Sequence, residues 1–71
     1  MVITMTFSSR EEIQRLRELA LSVSEAVTIR SLDGEIALNA KSPMGIYALD
    51  FSQPVEIVTD SQWLQEQLEH W

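Results

Sequence analysis

The spacing of apolar residues along this chain switches repeatedly between two periods. Residues 1–7 alternate, with Ile3, Met5 and Phe7 on one side and Val2, Thr4 and Thr6 on the other. A period of two predicts a half-buried strand. Ser8-Ser9 ends it, and Ser9-Arg10-Glu11-Glu12 has the form of a capping box. The Ser9 hydroxyl can accept from the Glu12 amide while the Glu12 carboxylate reaches back. A helix is predicted from there to about Val23, because Ile13, Leu16, Ala20 and Val23 share one stripe that Leu19 widens. Glu11 and Arg15 make a favourable i,i+4 pair on its wet side.

Residues 26–40 predict a hairpin. Asp33-Gly34 is a type I′ turn signal between two strand-like runs. A two-residue loop sets Leu32 opposite Glu35, and so pairs Ile29 with Leu38 and Val27 with Ala40. Both inward sets then agree, which supports the register. Ser42 is a natural N-cap with Pro43 at the first helical position. A short helix should follow, weakened by Gly45 and interrupted over 50–54. Pro54 to Thr59 predicts a further strand with Val55 and Ile57 inward. Thr59-Asp60-Ser61, with Gln62 three residues after Thr59, predicts the cap of a last helix. Leu64, Leu68 and Trp71 share that helix's inner stripe, and Trp63 and Trp71 are both expected in the core or at its edge.

The predicted order is β-α-β-β-α-β-α. It implies an α+β two-layer fold, with helices covering one face of an antiparallel sheet. Seventy-one residues leave room for a single domain, 1–71. A chain of this size buries only about 60% of its unfolded surface, so its core must be efficient.

Charge narrows the function classes. The net charge is −6, and the four arginines and one lysine form no cluster. Nucleic acids and anionic membrane surfaces are therefore not expected partners. The absence of cysteine excludes disulfides, thiolate nucleophiles and Cys-based zinc sites. Met1-Val2-Ile3-Thr4 lacks a basic n-region, and no apolar run approaches the ~18 residues that span a bilayer. A cytoplasmic protein is the expectation. The one histidine, His70, is terminal and has only Glu66 and Glu69 near it in sequence. An interior Ser-His-Asp set is thus excluded, and no metal, cofactor or enzymatic role is expected.

Asn39-Ala40-Lys41-Ser42-Pro43-Met44-Gly45-Ile46-Tyr47-Ala48-Leu49 joins a strand-like run to a short helix through a serine. This segment resembles the one around the regulatory serine of HPr, the small phosphocarrier of the bacterial sugar phosphotransferase system. The order of elements over the whole chain is that family's too. The resemblance implies an HPr-like open-faced sandwich with sheet order 1-4-2-3.

The resemblance also exposes a departure. The family carries its phosphorylated histidine in a His-Ala-Arg-Pro motif at the first helix start. Arg10-Glu11-Glu12-Ile13 stands there instead, with Arg10 at the approximate position of the phospho-histidine. A phosphoryl group of charge near −2 would meet Glu11 and Glu12 within one turn, on a helix end that the family uses to hold phosphate. The expected role is therefore regulatory or docking, without phosphocarrier chemistry. The resemblance makes Ser42 a candidate for phosphorylation by a serine kinase, aided by Lys41 and the helix dipole, and the plain alternative is that Ser42 only caps. It also makes Met44 and Tyr47 candidates for docking partner proteins such as phosphotransferase components, the alternative being packing against the first helix. A module that kept the fold and left the sugar pathway, binding another protein or itself through Met44, Tyr47 or Trp63, is the competing expectation.

Overall fold

A computed structural model describes residues 1–43 and 52–71. Their elements run β1 (Val2–Met5), α1 (Arg10–Leu21), β2 (Val27–Ser31), β3 (Ala37–Asn39), β4 (Val55–Thr59) and α2 (Gln62–Glu69). The four strands form one antiparallel sheet in the order β1-β4-β2-β3. The strand count, strand order and α+β class are those expected. The short helix anticipated after Ser42 lies, Pro43 apart, outside the described residues, as do Met44 and Tyr47.

Alternation along the strands decides which face is covered. Val27, Ile29, Val55 and Ile57 are buried, while Thr28, Arg30, Glu56 and Val58 between them are half-buried. The buried set meets the stripe Ile13, Leu16 and Ala20 of α1 and the stripe Leu64 and Leu68 of α2 in one core cluster. Leu16, Ile29, Ile57 and Leu64 are fully enclosed. Each such side chain contributes about 1.5–3 kcal/mol relative to exposure. Ile3, Met5 and Trp71 pack on the edge of this cluster. On the other face Arg30 lies opposite Glu56, and its Nε donates to Oε1 at 3.0 Å.

The hairpin register is the expected one, with Ile29 opposite Leu38 and the Ala40 amide on the Val27 carbonyl at 2.8 Å. Its turn differs. A type I′ turn needs positive φ at both central residues, and only Gly34 has it, at 77°. The Gly34 amide instead bonds the Ser31 carbonyl at 2.9 Å, and Ser31 pairs with Ile36, so the loop spans four residues. Asp33 organises it: its Oδ1 accepts from the Ser31 hydroxyl at 2.6 Å and the Glu35 amide at 2.9 Å. These bonds hold the Asp33 carboxyl below its usual range. An Asx-type bond of this kind competes with the tighter turn.

The cap of α2 also differs. Ser61, not Thr59, is the N-cap, and its hydroxyl accepts from the Leu64 amide at 3.1 Å. Thr59 donates to the Ala26 carbonyl at 3.0 Å and accepts from the Ser61 amide at 3.1 Å. Thr59 thus ties the start of β2 to the turn entering α2.

Candidate functional site

The start of α1 is the position from which the resemblance would draw function. Ser9 is its N-cap, extended at φ −151° and ψ 161°, and its hydroxyl accepts from the Glu12 amide at 3.3 Å. That half of the capping box is as expected. The return half is shifted by one residue. Glu12 Oε1 accepts from the Ser8 amide at 2.8 Å and from the Ser8 hydroxyl, so the carboxylate folds over the residue before the cap.

The second oxygen of the same carboxylate is also taken. Glu12 Oε2 accepts from the Trp71 indole Nε1 at 2.9 Å. Trp71 in turn stands edge-on to Phe7, with ring centroids 5.8 Å apart at 88°, and Arg15 lies over its face at 4.7 Å. Arg15 therefore stacks on Trp71 instead of pairing with Glu11. The result is a latch that closes Trp71, just past α2, over the first turn of α1. The Ser8 hydroxyl, the Ser8 amide, the Trp71 indole and the Arg15 charge hold the Glu12 carboxyl at a pKa of about 2.

This arrangement has a direct chemical consequence. A helix N-terminus attracts an anion because its first amides lack partners and its dipole is positive there. Here an internal carboxylate already lies across that end, with a second, Glu11, in the same turn. Arg10 is the exposed first residue of the helix and offers no imidazole. His70 is the C-cap of α2, exposed, and one residue before Trp71. The topology thus brings the one imidazole toward the end of the molecule where α1 begins, a placement that local sequence spacing does not show.

Ser42 is half-buried in a turn, its amide on the Asn39 carbonyl at 3.0 Å, and it is engaged in contacts of its own. Lys41 does not wait beside it for a phosphate. Its Nζ donates to the Val23 carbonyl at 2.7 Å, just beyond the C-terminus of α1. The last turn of α1 has no basic residue of its own, so Lys41 supplies the cation that this helix end favours. A phosphate on Ser42 would have to draw Lys41 away from that carbonyl.

Two further surface features emerge from the packing. Trp63, expected at the core edge, is 46% exposed. It lines a cleft of about 480 Å³ between the end of α1 and the start of α2. A second cleft, of about 340 Å³, lies under the hairpin tip between Leu32, Ile36 and Pro54. Among the described residues no group of three or more His, Asp or Glu side chains is placed to hold a metal ion. Among the same residues no helix is long and apolar enough to cross a membrane.

Fold and site together define a small α+β domain with a 1-4-2-3 antiparallel sheet and a first helix whose own Glu12 carboxylate is fixed beside its start by Ser8 and Trp71. No protein-family model, no curated protein and no solved structure matches the chain.

Proposed function

We propose that this chain is an HPr-like protein without phosphocarrier chemistry, acting by docking to a protein partner or through regulation at Ser42. The observation that carries the reading is the Glu12 carboxylate over the start of α1, bonded to Ser8 and Trp71. It sets a fixed negative charge beside the first-turn amides that a phosphoryl group would need. The sheet order β1-β4-β2-β3 supports the scaffold half of the proposal. Partners of this kind are phosphotransferase components or a serine kinase.

Intact-mass spectrometry tests it with two donor systems: phosphoenolpyruvate with enzyme I, and ATP with HPr kinase. The first should add nothing. The second should add one phosphoryl group that Ser42→Ala abolishes, if regulation runs through Ser42. Transfer to His70 from phosphoenolpyruvate, lost in His70→Gln, would overturn the non-carrier reading.

The exposed Trp63 favours a second reading, an interaction module that left the sugar pathway. A pull-down that returns no phosphotransferase component and no kinase would favour it.

A further inference from the structure

The fold treats its two tryptophans in opposite ways. Every handle of Trp71 is used: its edge by Phe7, its face by Arg15 and its N–H by Glu12. Trp63 is 46% exposed, and its indole has no ring, cation or hydrogen-bond partner among the described residues. Exposed tryptophan is the side chain most often found at the energetic centre of a protein interface.

The surroundings of Trp63 specify what would cover it. Its cleft is lined across from the indole by Ser22, Val23, Ser24 and Glu25, the segment that follows α1. Ser24 donates to Glu25 Oε1 at 3.3 Å, which leaves the charge of that carboxylate facing water. Glu66 stands one turn along α2 from Trp63, on the same side of the helix. Residues 42–71 carry five carboxylates and no lysine or arginine. One of the five, Glu56, is paired with Arg30 on the far face of the sheet. One cation, Lys41, is held on the carbonyl of Val23 in the cleft's wall. The lining residues themselves thus include an aromatic ring and a carboxylate and no lysine or arginine, the one cation placed at the wall being spent on a carbonyl.

We propose that the cleft between Trp63 and Glu25 docks an arginine- or lysine-bearing segment of a partner protein, with the cation on the Trp63 indole and its charge met by Glu25. The chain builds the same arrangement internally, where Arg15 lies over Trp71 while Glu12 holds that indole's N–H. A cation over tryptophan is the strongest pairing of its kind. Apolar peptides fit less well, because four of the seven lining residues are Ser or Gln and one is Glu. A second copy brings a net charge of −6 to the same surface, and nucleic acid or an anionic membrane would be repelled. The proposal deepens the docking part of the proposed function and depends on no phosphate chemistry.

The test is a ¹⁵N-resolved titration of the full chain with the blocked tripeptide Arg-Gly-Arg, and separately with its neutral counterpart citrulline-Gly-citrulline. The Trp63 indole N–H and the amides of Ser24 and Glu25 should shift saturably with the arginine peptide only. The Trp71 indole should stay in place and report that the fold is intact. Trp63→Ala should weaken binding by roughly two- to fivefold, the weight of one exposed cation–π contact, Glu25→Gln should weaken it through the lost charge, and high salt should weaken it further. Equal shifts with the citrulline peptide, undiminished binding in both variants, or no saturable shift would each overturn the proposal. A Trp63 shift that follows protein concentration alone would also overturn it, by making a second copy the occupant. None of these failures bears on the phosphoryl-transfer assays, so the two readings fail separately.

Discussion

Replacing Trp71 with alanine should cost this domain much of its stability, although the residue lies at the end of the resolved sequence. Three losses can be counted beside that of the indole N–H bond to Glu12. The edge-to-face pair with Phe7, at 5.8 Å and 88°, contributes about 0.5–1.5 kcal/mol. The Arg15 guanidinium at 4.7 Å contributes about 0.5–1 kcal/mol. Trp71 is half-buried against the core cluster, and giving up roughly 100 Å² of buried indole costs about 2.5 kcal/mol at ~25 cal/mol/Å². These terms overlap, so about 3 kcal/mol is a fair total, within the range of large aromatic-to-alanine changes. A 71-residue chain at ~0.05–0.15 kcal/mol per residue has only about 4–10 kcal/mol to lose. Urea denaturation followed by circular dichroism measures the change through the midpoint at constant slope. The melting temperature should fall by more than ~12 °C. Trp63→Ala is the internal comparison, expected to cost clearly less, because that ring is 46% exposed and has no ring, cation or hydrogen-bond partner among the described residues. If the two variants are equally mild, each under about 1 kcal/mol, the latch does not hold in solution and its role at α1 must be abandoned.

Other consequences follow from the same contacts. Glu12 ionises at about 2 in the folded state against about 4.3 when unfolded. Its stabilisation is therefore complete above the unfolded value and disappears as pH falls through the folded one. The stability difference between the parent and Glu12→Gln, read from urea midpoints, should be constant near neutrality and shrink between about pH 5 and 2. Asp33, also lowered, should give Asp33→Asn a loss of the same sign on the acid side. Gly34→Ala should cost about 1–2 kcal/mol purely through its φ of +77°, since no atom lies within 4 Å of the added methyl. A loss under a few tenths in the chemical-denaturation midpoint would refute the left-handed turn. Ser61→Ala removes a buried cap from the Leu64 amide and should cost about 1–2 kcal/mol. Amide exchange of Leu64 should speed up more than that of Leu68.

What the sequence made legible was what repeats locally. Period-two runs marked the strands, and Ile13, Leu16 and Ala20 marked the buried stripe of α1. The register of the hairpin followed from matching two inward sets, and it survives a different turn because Ser31 still pairs with Ile36. The turn type was not legible, because it depends on whether Asp33 bonds forward to Glu35 and back to Ser31 or lets its backbone turn left-handed. The cap of α2 was misplaced for a related reason. Thr59 and Ser61 can both cap, and a tertiary bond from Thr59 to Ala26 decides between them. At the α1 start, Ser9 and Glu12 were readable as a capping pair, but the bond from Trp71 to Glu12 joins residues 59 positions apart. No local pattern announces such a bond. The stripe of Leu64 and Leu68 did include Trp71, but it gave no measure of how far Trp63 beside it would stand out into solvent. The tie from Lys41 to Val23 was equally invisible, and it alters what Lys41 can offer Ser42.

The occupied start of α1 is the claim on which the non-carrier reading stands, and the carboxyl ¹³C titration of Glu12 in the intact chain tests it most directly. A midpoint near 2, with the Trp71 indole N–H shifting along the same curve, is the expected result. A midpoint in the ordinary glutamate range of about 4.3, with the Trp71 indole unmoved, would mean that the carboxylate is free in water and the helix start open.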